Sequence, residues 1–173
     1  KINWNPVTES IRNFNFTRQN RTVFLSILGI SWFWFYGATF LTQFPNFSRE
    51  ILGGSEHVVT LLLAIFSVGV GVGSLLCERM SGHKVEIGLV PFGSIGMTLF
   101  GLDLYFASRG YVAVGHEIGA LPFLQTPGSW RISFDLLMLG LFGGFYIVPL
   151  YALIQTRSEE SHRSRIIAGN NIL

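Results

Sequence analysis

The sequence predicts an all-α integral membrane bundle of four transmembrane helices, and three observations predict it. Charged residues fill only 13% of the 173 positions, about half the share usual in soluble domains. Those charges are gathered into short stretches, leaving four runs of at least 20 residues with almost none. Glycine (20 residues) and aromatic residues (14%) are abundant, as suits helices that pack closely in lipid and anchor at its surfaces.

Residues 1–22 hold Lys1, Arg12, Arg18 and Arg21 against one acid, Glu9. Asn5 followed by Pro6 suits a helix start, and Val7, Ile11 and Phe14 share one helical face. The segment predicts a short amphipathic linker helix on a membrane surface, with a solvated linker as the alternative. The first span, 23–44, has 22 uncharged residues, where about 20 suffice to cross the hydrocarbon core. Pro45 and Asn46 are expected to end it. The second span, 58–77, lies between His57 and the Glu78-Arg79 pair. The third, 87–106, contains Pro91 and, near its end, Asp103. The fourth, 132–154, carries Asp135 near its start and Pro149 toward its end.

Both prolines fall inside predicted spans. Each should free the carbonyl four residues back, that of Ile87 or Phe145, and Pro149 with Gly143 and Gly144 before it marks an expected bending point. Connectors 45–57 and 78–86 are short, whereas 107–131 is a longer loop rich in glycine and proline. Four crossings put both ends on one side. That side collects nine of the lysines and arginines; Arg49, Arg109 and Arg131 lie on the other. The positive-inside rule then places both termini and the 78–86 turn in the cytoplasm.

Lipid tails are as apolar as leucine, so helices in a bilayer associate through close contact of small residues. Gly69 and Gly73 form such a pair in the second span, and Gly140 and Gly144 in the fourth. At 100° per residue, Asp135, Phe142, Tyr146 and Pro149 fall on the opposite side of the fourth helix. That face either lines a cavity or packs on further helices. In the first span Trp32, Tyr36 and Gln43 share a stripe; Trp32 and Tyr36 are candidate cavity-lining residues, and Gln43 suits an interfacial anchor.

Asp103 and Asp135 are the acids within the predicted spans. A carboxylate at a helix centre is costly, so near a span end each is expected to be solvated or paired with Arg109 or Arg131. Facing a cavity, either would instead be a candidate site for a proton, a cation or a head-group amine. Cys77 has no thiol partner and reads as a packing residue. His57, His83, His116 and His162 sit in loops without catalytic or metal-type spacing, and no phosphate-cradling loop is present. Gly69, Gly71 and Gly73 imitate a dinucleotide loop but follow no strand. The sequence thus implies no enzyme, no cofactor, no metal and no nucleic-acid partner; the expected partner is the lipid bilayer.

After the second span come Glu78-Arg79 and then Gly82-His83-Lys84. An acid–base pair followed by glycine and basic residues resembles the turn between helices two and three of major facilitator superfamily transporters, repeated between eight and nine. Here Ser74 replaces the usual glycine, and one residue is inserted before Gly82. Segments 27–45, 56–78, 88–101 and 143–158 are together similar to the lysophospholipid-transporter branch of that superfamily, especially members fused to a glycerophospholipid acyltransferase. Residues 163–173 resemble the entry to a following helix.

The resemblance implies a partial C-terminal half of a major facilitator fold. Spans one to four would be helices seven to ten, and 1–22 the linker between two six-helix halves. The chain begins at Lys1 and stops in an apolar run, so both ends read as cuts through a longer polypeptide. The first six helices and the last two would lie outside the chain, leaving it inactive alone. The implied function is a secondary carrier moving lysophospholipid, such as lysophosphatidylethanolamine, across the bacterial inner membrane by alternating access, for re-acylation. Glu78, Arg79 and Lys84 would then be the gating charge relay. Trp32, Tyr36, Tyr146 and Tyr151 would line the substrate pathway, with Asn170 and Asn171 beside them. The alternative is a membrane anchor for a fused acyltransferase, without transport.

Overall fold

A computed structural model describes residues 18, 20–82 and 86–157 of the chain. Most of the expected linker helix over 1–22 lies outside the described residues. So do Lys84, Asn170, Asn171 and the expected start of a further helix. The described residues fold as an all-α bundle. Helix α1 spans Arg21–Asn46, α2 Glu56–Met80, α3 Leu89–Arg109, α4 Ala120–Gln125 and α5 Ser129–Arg157. Four of them, with α1 counted through to Ile51, are long and apolar enough to cross a membrane, and the protein is a multi-pass membrane protein.

Helix α1 opens at Asn20, whose side-chain carbonyl accepts from the backbone N–H groups of Thr22 and Val23 at 3.2 and 3.3 Å. These are two of the four donors that a helix start leaves without partners. The α-helix ends at Asn46, as expected, but Pro45 lies inside it and the helical path does not stop there. A proline this close to the C-terminus frees only the Leu41 carbonyl, and the chain absorbs the misfit by widening into a π-helical turn, Phe47–Ile51. The N–H of Leu52 closes that turn on the Phe47 carbonyl at 3.2 Å. Pro91 also departs from expectation. Helix α3 starts at Leu89, so Pro91 sits in its first turn, where the N–H it lacks had no partner to lose. Helix α5 runs unbroken through Pro149. The 107–131 loop contains a short helix, α4, that periodicity does not reveal in six residues.

Helix α5 is the centre of the bundle. In its most apolar stretch 56% of the residues are buried inside the protein, against 22–28% for the other three long helices. The outward faces of those three carry Phe35, Leu75 and Phe106 respectively, each more than 60% exposed. Such a surface is stable against hydrocarbon and would associate in water.

The seam between α2 and α5 is made of backbone against backbone. A Cβ on Gly69 would land on the Leu137 carbonyl, and one on Gly73 on the Leu141 carbonyl. Conversely, one on Gly140 would strike the Phe66 carbonyl, and one on Gly144 the backbone of Gly73 and Ser74. The two predicted glycine pairs therefore face each other across one contact. The opposite face of α5 is covered as well. Gly93 of α3 lies against the Phe142 carbonyl and the Tyr146 backbone, and Gly96 receives the Phe142 ring. Of the predicted non-lipid face, Asp135 and Pro149 are buried, while Phe142 and Tyr146 are partly buried against the core. Cys77 is buried too.

At one end of the bundle the α1–α2 connector is tied to the α3–α4 connector. Ser55 donates its backbone N–H to the Ile118 carbonyl at 2.9 Å, and Ile118 returns one to Gly53 at 3.0 Å. Gly53 holds φ +63°, and a Cβ there would meet the Gly115 carbonyl. Gly53→Ala is therefore expected to cost about 1–3 kcal/mol, read as a lower thermal midpoint in detergent. Gly110→Ala, whose nearest obstacle is the Phe106 carbonyl at 3.6 Å, should leave that midpoint in place.

Candidate functional site

The residues with most chemistry to offer meet where α1 crosses α5. Spacing of four along α1 stacks side chains on one face, and here it builds an aromatic ladder. Trp32 stacks on Tyr36 with centroids 5.4 Å apart, Tyr36 contacts Phe40 at 4.7 Å, and Phe40 meets Phe44 edge-on at 6.0 Å. Tyr146 of α5 completes the ladder's upper rungs, 5.9 Å from Trp32 and stacked on Phe33 at 6.0 Å. Three of the four predicted aromatic pathway residues, Trp32, Tyr36 and Tyr146, thus share one cluster.

The polar tips of this cluster are arranged as follows. Tyr146 donates its hydroxyl to the Gly29 carbonyl at 3.3 Å. A Cβ on Gly29 would come within 3.1 Å of that hydroxyl, so the contact uses the missing side chain. Tyr151, the fourth predicted residue, stands apart and accepts from Trp34 Nε1 at 3.0 Å. Sequence reasoning missed Trp34. The two partners are 117 positions apart, and the stripe through Trp32 and Tyr36 pointed away from it.

The lower rungs of the ladder, Phe40 and Phe44, also border a second feature. Here α1 and α3 enclose a cleft of about 360 Å³ lined by Phe40, Gln43, Phe44, Leu104 and Tyr105. Gln43 is exposed and lines this cleft. The ladder therefore joins a patch with hydroxyl and indole groups to a nearly apolar trough.

Glu78 and Arg79 lie exposed in the last turn of α2, at the far end of that helix from Ser55. The Ser81 hydroxyl donates to the Glu78 carbonyl at 3.0 Å. With Lys84 outside the described residues, the structure brings no complete relay together.

Asp103 and Asp135 part company. Asp103 pairs with Arg131: Nε reaches Oδ2 at 3.1 Å while a terminal guanidinium nitrogen takes Oδ1. Both side chains remain about half exposed, at 42% and 55%. This is the pairing expected of an acid near a span end. Arg109, the other candidate partner, lies over the Tyr105 ring and donates to its hydroxyl at 3.1 Å. Asp135 is neither solvated nor paired. It is fully buried, and neither carboxylate oxygen has a hydrogen-bond partner among the described residues. The reason is architectural, since α5 is the central helix and Asp103 already holds the Arg131 fork.

The chain matches no protein-family model and no solved structure. It is similar to proteins named lysophospholipid transporter LplT. That of Pectobacterium carotovorum is 29% identical over 175 residues, which is 98% of this chain and 37% of the relative. That of Serratia proteamaculans is 28% identical over 99% of the chain and 38% of its own length. That of Photorhabdus laumondii is 30% identical over 87% and 32%. The chain thus spans about a third of the length of these curated relatives. The similarity runs over the same segments whose resemblance to lysophospholipid transporters is legible in the residues.

Proposed function

Proceeding from that similarity and from the aromatic ladder, we propose that this chain is part of a lysophospholipid carrier. The observation that supports it best is the continuity from the Trp32–Tyr36–Tyr146 patch into the cleft between α1 and α3. A lysophospholipid is a polar head joined to one acyl chain. Indole and phenol groups offer hydrogen bonds beside flat apolar faces, and a trough lined by Phe40, Phe44 and Leu104 suits an acyl chain. In this reading the four spans are helices seven to ten of a major facilitator fold. The carrier works by alternating access in the inner membrane with both ends of the chain cytoplasmic, and it delivers lysophosphatidylethanolamine for re-acylation, in a parent protein fused to an acyltransferase. Glu78, Arg79 and Lys84 serve as the gating charges, and Asn170 and Asn171 extend the pathway.

The test is flipping of fluorescent lysophosphatidylethanolamine in proteoliposomes, using the natural protein that contains this segment. Transport well above protein-free vesicles is expected. A rate equal to theirs would overturn the assignment.

A further inference from the structure

The buried carboxylate of Asp135 belongs neither to the aromatic ladder nor to the residues lining the cleft between α1 and α3. We propose that it is a proton-binding site, filled from the loop-rich end of the bundle past the Asp103–Arg131 pair. The inference rests on burial and geometry alone and holds whatever the chain carries.

Asp135 lies one helical turn from Arg131, so the two side chains share a face of α5. Its exposure is zero, and both oxygens are without partners among the described residues. A carboxylate in that state has surrendered its hydration and received nothing in return. Arg131 does not supply the missing bonds: its Nε and one terminal nitrogen are turned to Asp103, and no nitrogen of it bonds Asp135. The cluster therefore contains two acids and one guanidinium. With both acids ionised it carries one uncompensated negative charge inside an apolar bundle; with one proton bound it is neutral.

The other packed helices offer no further counter-charge. Helix α3 contributes Asp103, and beyond it Arg109, which is held on Tyr105. Between Arg21 and Arg49, helix α1 has Tyr36 as its one titratable group, and between His57 and Glu78, helix α2 has only Cys77, near its other end. A metal cation fits poorly, since hard cations need several oxygen ligands and a guanidinium already occupies the cluster. A proton needs only one oxygen. It arrives from water at the exposed Asp103, forms an O–H bond on a carboxylate oxygen of Asp135, and leaves by breaking that bond.

Infrared difference spectroscopy of the full chain in nanodiscs, over about pH 5–9, tests this. A carboxylic-acid carbonyl band is expected that vanishes reversibly as the pH rises. Asp135→Asn should remove it. Asp103→Asn should remove it too, because the freed Arg131 then pairs with Asp135 as a carboxylate. Asp103 is half exposed, so this second variant remains informative if the first does not fold. No such band in the wild-type protein, a band that survives Asp135→Asn, one unchanged by Asp103→Asn, or one erased by sodium at constant pH would each overturn the proposal.

Discussion

Gly73→Ala is expected to pry α2 from α5, while Gly71→Ala, two residues away, should leave the bundle intact or slightly firmer. The contrast comes from what each new methyl group meets. At Gly73 it falls on the carbonyl oxygen, carbonyl carbon and Cα of Leu141. None of these is the movable end of a side chain, so the helices must separate. At Gly71 nothing lies within 4 Å, and alanine is the better helix former by about 1 kcal/mol. Overpacking usually costs about 1–3 kcal/mol, and the rigid obstacle puts Gly73 at the upper end of that range. In a bilayer the loss has no hydrophobic substitute, because separated helices simply meet lipid. Unfolding midpoints of the two variants in mixed detergent micelles should move in opposite directions. Equal midpoints would mean that the seam contributes little.

The second large effect is expected at Tyr146. Tyr146→Ala removes a ring that touches Trp32 and Phe33 and leaves a gap where α1 crosses α5. The ring is only partly buried, so the cost is expected at about 2 kcal/mol, below that of a fully buried aromatic. Lysophospholipid flipping should fall about tenfold or more, since the patch loses both a face and a hydroxyl. Tyr146→Phe separates the two contributions. It keeps the stacking and gives up only the hydrogen bond to Gly29, worth about 1 kcal/mol or less. A Tyr146→Ala protein that folds and flips lipid at the wild-type rate would show that the ladder is packing and not pathway.

Sequence and structure meet most closely where one chemical requirement acts over many residues. Membrane crossing is such a requirement, and the uncharged runs announced all four long helices. The glycine pairs at 69 and 73 and at 140 and 144 announced a close helix contact, because spacing of four is a local property. The ends of elements were harder to read. Pro45 and Asn46 were expected to end α1, and the α-helix does end at Asn46, but the π-helical turn that carries the chain on to Ile51 was not legible. Pro91 was expected to strip a bond that α3, starting two residues before it, never had.

What the chain determined alone is its solvent: charge placement selects lipid, and 20-odd apolar residues select a helix, because no other backbone satisfies itself within one segment. Which helix would be central was decided only by tertiary structure. Helix α5 is less apolar than α2, but among the described helices it alone has close backbone contacts on two sides. That position buries Asp135 while leaving Asp103 at the rim with Arg131, although both acids lie near span ends in the sequence. Long-range pairs such as Trp34 with Tyr151 were settled in the same way. Periodicity records which residues share a face, and only packing decides what that face meets.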